Sequence, residues 1–256
     1  MVKSKAKLLF TLKLDGHNAN NLGNTVLRVA NMNPYENLYI YEIKGEVEDA
    51  RSRFKEDFIG CWLEGGYSYL FFTEKKESEV RRVILTATDL EYISEAVLNY
   101  QDWEVGDKMV LFKVHNLLIS PVWEHCVLGK DDIMVRLDPG VMFGSGYHPT
   151  TRKCLEALWK IYQWDCPRRV LDRGTGTGIL GITAAKLGAR EVLALDNKNL
   201  AVETSEKNVI LNGVSKEVKA VCGDGLKYLD WGADLLCGNI HFEVMEELLK
   251  NEYFYT

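Results

Sequence analysis

The sequence predicts an α/β protein, with a doubly wound parallel sheet in its C-terminal part and a smaller α+β module ahead of it. Three observations predict this. From Arg168 onward, short apolar runs alternate with helical stretches of about ten residues, the rhythm of strand–helix–strand units in a parallel sheet. The run LDRGTGTGILG, Leu171 to Gly181, sets glycines between a strand and a helix, where a chain turns sharply and approaches a ligand closely. The first hundred residues instead mix short strands and helices, without an internal repeat or a low-complexity tract.

Taken in order, TVLRVA (25–30) and NLYIYEI (37–43) read as strands around the turn NMNPYE. EVEDARSRFKEDF (46–58) has spaced apolar residues in a polar background and reads as a helix. YSYLFFT (67–73) reads as a strand after Gly65-Gly66, and ESEVRRVILTA (77–87) as a helix with Ser78 as its N-cap. KMVLFKV, LLISPVW and DIMVRLDPG then read as strands up to Gly140. After MFGSGYHPTT, a helix over Thr151–Tyr162 places Leu155, Leu158 and Trp159 at helical spacing, with Thr151 capping it. The last part reads as strand RRVLD, helix GILGITAAKLG, strand EVLALD, helix NLAVETSEKNVILNG, then strands VKAVCGD and ADLLCGN. Gly188 and Gly213 stop the two helices. HFEVMEELLKNEYFYT supplies one more helix.

A chain of 256 residues suits one large domain or two small ones, and its 46% hydrophobic, 27% charged composition is that of a globular protein. The formal charge of −6 argues against a nucleic-acid surface and leaves room for a basic partner. The six cysteines are scattered without a C-x-x-C pair, which predicts reduced thiols in a cytoplasmic protein and no metal site. No segment has the length of a signal peptide's apolar core or of a membrane span.

The glycine run supports two cofactors. From Gly176 it gives G-x-G-x-x-G, a dinucleotide fingerprint; from Gly174 it gives G-T-G-T-G, with Gly174, Gly176 and Gly178 forming an S-adenosylmethionine turn. Asp196, about twenty positions after Gly174, suits the ribose hydroxyls in either case. Asp172, two residues before the turn, separates them. An anion has no use beside a pyrophosphate, whereas a methionine ammonium gains from it. Asp224 after the next strand suits an adenine amino group, and Asn239 ends the fourth strand at the carboxyl edge where such folds bind ligands. These residues favour the methyl donor and assign Gly181 to close helix packing.

Together DPGVMFGSGYHPTTRKCLEAL, VLDRGTGTGILGITAAKLGA, EVLALDN, NVILNGV and GNI resemble the ribosomal protein L11 methyltransferase (PrmA) family, densely from Trp103 to Leu249. The most specific element is F-G-S-G-x-H-P-T-T. The resemblance implies a Rossmann-like class I methyltransferase sheet and a ferredoxin-like N-terminal domain that docks the substrate. The activity implied is S-adenosylmethionine-dependent methylation of lysine or N-terminal amines on L11 or a similar basic protein. It also implies cofactor contacts at Thr151, Gly174, Asp196 and Asn239. The expected organisation is a docking domain over 1–98, connecting strands over 99–145 and a cofactor domain over 146–256.

Within that frame Asn239 is expected to orient the amine, and Phe143 to wall the acceptor channel with an apolar face that favours the neutral amine. His148, before a proline, reads as a hydrogen bonder that fixes its loop rather than as a general base. Two departures stand out. Arg173 occupies a position where the family has an apolar residue, and strand alternation puts it on the face of Leu171, so it must reach solvent or a carboxylate. The family's sheet also has three further strands after the Asn-Ile motif that this sequence lacks, the expectation being a truncated chain. The rival readings are a cofactor-binding module without catalysis, a nicotinamide-dependent oxidoreductase, and a methyltransferase of small molecules or RNA.

Overall fold

A computed structural model of the chain describes residues 28–30, 33–103, 109–146, 148–240, 244–246 and 250. The first half of the strand read over 25–30, the start of the one read from Lys108, Tyr147 of the F-G-S-G motif and most of the final helical stretch lie outside the described residues.

The N-terminal module begins with β1 (Arg28–Ala30) and β2 (Asn37–Lys44). It continues through α1 (Ala50–Arg53), β3 (Phe58–Glu64), β4 (Tyr67–Phe72), α2 (Glu77–Leu85) and β5 (Glu91–Asn99). From β2 on, this is a β-α-β-β-α-β succession with sheet order β3-β4-β2-β5 and every neighbour antiparallel. That is the split βαβ arrangement of ferredoxin-like domains. Tyr41, Ile43, Phe54, Phe58, Leu70, Phe72, Val80 and Ile84 form its core between sheet and helices.

Three readings are corrected here. The helix expected over 46–58 is a single turn, α1, because Phe54 leaves it in extended backbone with its ring buried in the core; Asp57, at a positive φ of 62°, then turns the chain into β3. The strands β3 and β5 are additions to the sequence reading. Ser78 does not cap α2: the N-cap is Lys76, with no side-chain cap bond, and its backbone N–H donates to the Tyr41 hydroxyl at 2.8 Å.

A linking layer follows, with α3 (Tyr100–Trp103), β6 (Phe112–Val114), β7 (Leu117–Pro121), β8 (Glu124–Cys126) and β9 (Ile133–Leu137). β6, β7 and β9 form one sheet, and β8 pairs with β1. The C-terminal unit comprises α4 (Pro149–Trp164), β10 (Arg169–Arg173), α5 (Ile179–Leu187), β11 (Glu191–Asp196), α6 (Asn199–Leu211), β12 (Val218–Cys222), a 3-10 helix over Gly225–Trp231 and β13 (Leu235–Gly238). Its four strands are all parallel in the order β12-β11-β10-β13. β10 and β11 are buried along nearly their whole length, as parallel strands covered on both faces must be.

The chain winds outward from β10 to β12 and then crosses to the other side of β10 to lay down β13. This places a topological switch point between β10 and β13, where doubly wound sheets bind ligands at their carboxyl edge. Leu38, Ile59, Phe71, Tyr100, Val141, Met142, Leu200 and Ala201 form a further core that joins the N-terminal sheet to α6 and to the loop after β9.

Candidate functional site

Parallel strands bring four loops to one edge. β10 runs into the glycine turn 174–178, β11 ends at Asp196, β12 leads to Asp224 and β13 leads to Asn239. The structure thus brings the glycine turn, Asp196, Asp224 and Asn239 to the same edge of the sheet.

The glycine turn is fixed from below. Gly174, Gly176 and Gly178 all take positive φ. At Gly176 the need is also one of space, since a Cβ there would strike the Phe143 carbonyl oxygen. The Thr175 N–H donates to the Leu195 carbonyl at 2.9 Å, which ties the turn to the neighbouring strand. At the switch point, a Cβ on Gly174 would run into Ile240, so β10 and the Asn239 loop sit in direct contact.

Asp172 lies beneath this turn, 1% exposed. Its Oδ2 accepts from the Thr175 hydroxyl at 2.7 Å and from the Gly181 N–H at 2.9 Å. Gly181 belongs to the first turn of α5, so Asp172 takes one of the amide donors that a helix N-terminus would offer to an anion. Burial pushes the carboxyl up to about 6, against the lowering effect of those two hydrogen bonds. Gly181 has the packing role expected of it: a Cβ there would press on Asp172 and Val192 at 3.1 and 3.2 Å.

Asp196 is half-buried at the end of β11. Its Oδ2 accepts from the Gly176 N–H and its Oδ1 from the Lys198 N–H, both at 3.1 Å. A carboxylate has about four acceptor positions, so capacity remains for two hydroxyl donors. Asp224 is exposed, and its loop is held to β11 by the Gly223 N–H donating to the Asp196 carbonyl at 2.9 Å.

On the other side of the switch point, the Asn239 Nδ2 donates to the Thr151 hydroxyl at 2.9 Å, with Thr151 buried in the first turn of α4. Two residues 88 positions apart are thereby joined. Thr151 is not the helix cap: α4 starts at Pro149, and the cap is His148, whose ring nitrogen Nδ1 accepts from the Thr150 N–H. His148 therefore fixes its loop, as its place before a proline implied. Phe143 stands at the rim with 68% of its surface exposed. Its backbone is anchored, since the Thr177 N–H donates to its carbonyl at 3.1 Å and the Thr177 hydroxyl donates to the Gly144 carbonyl at 2.7 Å.

Arg173 is buried, and among the described residues it has one carboxylate within ion-pair reach. The residue is 8% exposed, its nearest carboxylate is Asp224 at 4.0 Å, and its Nη1 is buried without a hydrogen-bond partner. Its stem packs on Gly225, where a Cβ would collide with it. A feature the sequence reading missed lies behind the turn: Asn208, fully buried on α6, donates to the Thr177 carbonyl at 2.8 Å. The sequence signal was present in the NVILN spacing, two asparagines four apart on one helix face.

The model of the ribosomal protein L11 methyltransferase (PrmA) family matches residues 70–254, well over half of the chain. The chain belongs to this family. It is 45% identical to the ribosomal protein L11 methyltransferase of Heliobacterium modesticaldum over 155 residues, covering 59% of this chain and 48% of that protein. Against the enzyme of the same name from an Exiguobacterium species, identity is 36% over 196 residues, 75% of this chain and 62% of that protein. The chain thus spans about half to three-fifths of the length of these relatives. A solved structure of the ribosomal protein L11 methylase from Lactobacillus delbrueckii subsp. bulgaricus is 34% identical, covering 55% of this chain and 71% of that one at a TM-score of 0.49. The stretch matching the L11 methyltransferase family begins within β4 and takes in every site residue described above.

Proposed function

We propose that this chain is an S-adenosylmethionine-dependent protein N-methyltransferase that acts on lysine or N-terminal amines of ribosomal protein L11 or a similar basic protein. The observation that carries the reading is Asp172. A buried carboxylate that occupies a first-turn amide of α5 puts negative charge where a dinucleotide would need to place its pyrophosphate. The same charge favours a ligand with an ammonium group near the turn. Family membership supports the same conclusion, and six free thiols suit a reducing cytoplasm. Among the described residues, no helix is long and apolar enough to cross a membrane.

The donor set fits the cofactor. Asp196 would take the ribose hydroxyls with its remaining acceptor capacity, Asp224 the adenine amino group, and the glycine turn would face the methionine portion with Asp172 behind it. Thr151 and Asn239 would close the site across the switch point. The bound cofactor supplies an electrophilic methyl group on a sulfonium, so the transfer needs no acid for the leaving group. The protein's work is then to hold a neutral amine in line at roughly 3 Å, which is mainly positioning. Because the Asn239 Nδ2 is committed to Thr151, its Oδ1 is the end of the amide that can accept an amine hydrogen. Phe143 at the rim offers an apolar face, which favours the deprotonated amine over the ammonium.

The reading is tested by incubating the chain with L11 and methyl-labelled cofactor. Label is expected on L11, and Asp196→Asn should lower the rate by about tenfold or more through weaker cofactor binding. The poorly paired Arg173 in the middle of the site motivates a second reading, a binding module without catalysis. Cofactor binding without label on L11 would favour that one.

A further inference from the structure

Asn208 and Asn212 lie one helical turn apart on α6 and each grips one residue at the end of β9. The Asn208 Oδ1 accepts from the Asp138 N–H at 2.8 Å while its Nδ2 donates to the Asp138 carbonyl at 3.0 Å. The Asn212 Oδ1 accepts from the Arg136 N–H at 2.9 Å while its Nδ2 donates to the Arg136 carbonyl at 2.7 Å. The match is geometric: four residues of helix rise about 6 Å and two residues of strand about 6.6 Å. The two amides thus act as a neighbouring strand for the outer edge of β9, whose other edge pairs with β7.

The two clamps differ in one contact. The second hydrogen of the Asn212 amide is spent within the helix, on the Asn208 carbonyl at 2.7 Å. That of Asn208 goes to the Thr177 carbonyl in the glycine turn. Thr177 in turn holds the Phe143 and Gly144 carbonyls. Both ends of the loop 138–144 therefore meet at one buried amide, Asp138 directly and Phe143-Gly144 through Thr177. From the opposite side the loop is gripped by hydroxyl and indole donors: Tyr35 to the Asp138 carboxylate, Tyr100 to the Gly140 carbonyl and Trp103 to the Val141 carbonyl.

We propose that Asn208 is a positioning residue for the cofactor site, setting the register of the 138–144 loop, and with it Phe143, on the glycine turn. This rests on the reading of that turn as the methyl-donor site. Asn212 supplies the internal control, since it makes the same two-point clamp on β9 without touching the turn.

The test compares Asn208→Ala and Asn212→Ala with the unaltered chain, by thermal melting, by calorimetric titration with S-adenosylhomocysteine and by hydrogen exchange over residues 139–146. Both variants are expected to lose comparable thermal stability. Only Asn208→Ala should raise the Kd, by about tenfold, the scale of one buried hydrogen bond left unmade. Only Asn208→Ala should speed exchange in the loop. Equal changes in the two variants, or an unchanged Kd and exchange rate in Asn208→Ala, would overturn the proposal. Should Asn208→Ala not fold, the isosteric Asn208→Asp keeps the acceptor for the Asp138 N–H and removes the donor to the Thr177 carbonyl, with Asn212→Asp as its control. Asn208→Asp alone is expected to raise the Kd severalfold, and an unchanged Kd overturns the proposal equally. If the unaltered chain takes up no S-adenosylhomocysteine while the exchange difference persists, the cofactor reading fails and the loop-setting role stands.

Discussion

Burial lifts the Asp172 carboxyl from 3.8 to about 6, and the sign of that shift sets a pH dependence. A carboxylate with a raised folded-state pKa adds stability below its unfolded value, near pH 4, and loses it as pH climbs through 6. Asp172→Asn keeps an oxygen for Thr175 and Gly181 but removes the buried charge. Melting followed from pH 4 to pH 8 should therefore show the variant at least as stable as the unaltered chain at pH 8, with a flatter profile between 4 and 6. Its affinity for S-adenosylmethionine should fall about tenfold, the usual exchange of stability for function at a binding site. A variant that binds the cofactor normally would remove Asp172 from the site. Arg173 makes the complementary case. Its guanidinium has one carboxylate at 4.0 Å and an orphaned Nη1, so Arg173→Met, which keeps a long stem over Gly225, should raise stability by about 1–2 kcal/mol in denaturant unfolding. Destabilisation would mean that the arginine is better paired than the geometry shows.

At the scale of elements, the C-terminal half was legible in the sequence and the N-terminal half only partly, for a physical reason. Buried parallel strands read as continuous apolar runs, and glycine marks where β10 turns into α5, so VLDRGTGTG could be placed within a residue or so. β5, EYISEAVLN, is an edge strand exposed along most of its length, and its glutamates and alanine carry no strand signal. Only the first residue of β3, Phe58, falls in the helix read over 46–58, where it stands four after Phe54, yet both rings pack on Phe72 in the sheet core, at 5.3 and 5.1 Å. Gly60 was the clue: a Cβ there would run into the Leu200 side chain of α6, so this glycine marks a strand pressed against a helix. Gly60→Val should cost about 1–3 kcal/mol in equilibrium unfolding by overpacking that contact, whereas the same change at Gly65, which has open space, should act only through its positive φ. Equal losses from packing and from strain would show that Leu200 can move aside. At the site itself, residue types and strand-end positions were legible. The Thr151–Asn239 and Asn208–Thr177 bonds were not, because they join residues 88 and 31 positions apart.

At the scale of the molecule, a ferredoxin-like sheet and a parallel sheet share one core through Leu38, Ile59, Phe71, Tyr100, Val141, Met142 and Leu200, and the loop 138–144 runs through that junction. The proposed basic protein substrate would be captured faster at low salt by a chain of net charge −6. All of this depends on what the glycine turn between β10 and α5 receives. Calorimetric titration of the full chain with S-adenosylhomocysteine, side by side with NADH, tests that most directly. The account predicts saturable binding of S-adenosylhomocysteine at one site per chain, weakened about tenfold or more by Asp196→Asn, and no heat from NADH. Saturable NADH binding with none of S-adenosylhomocysteine would contradict it.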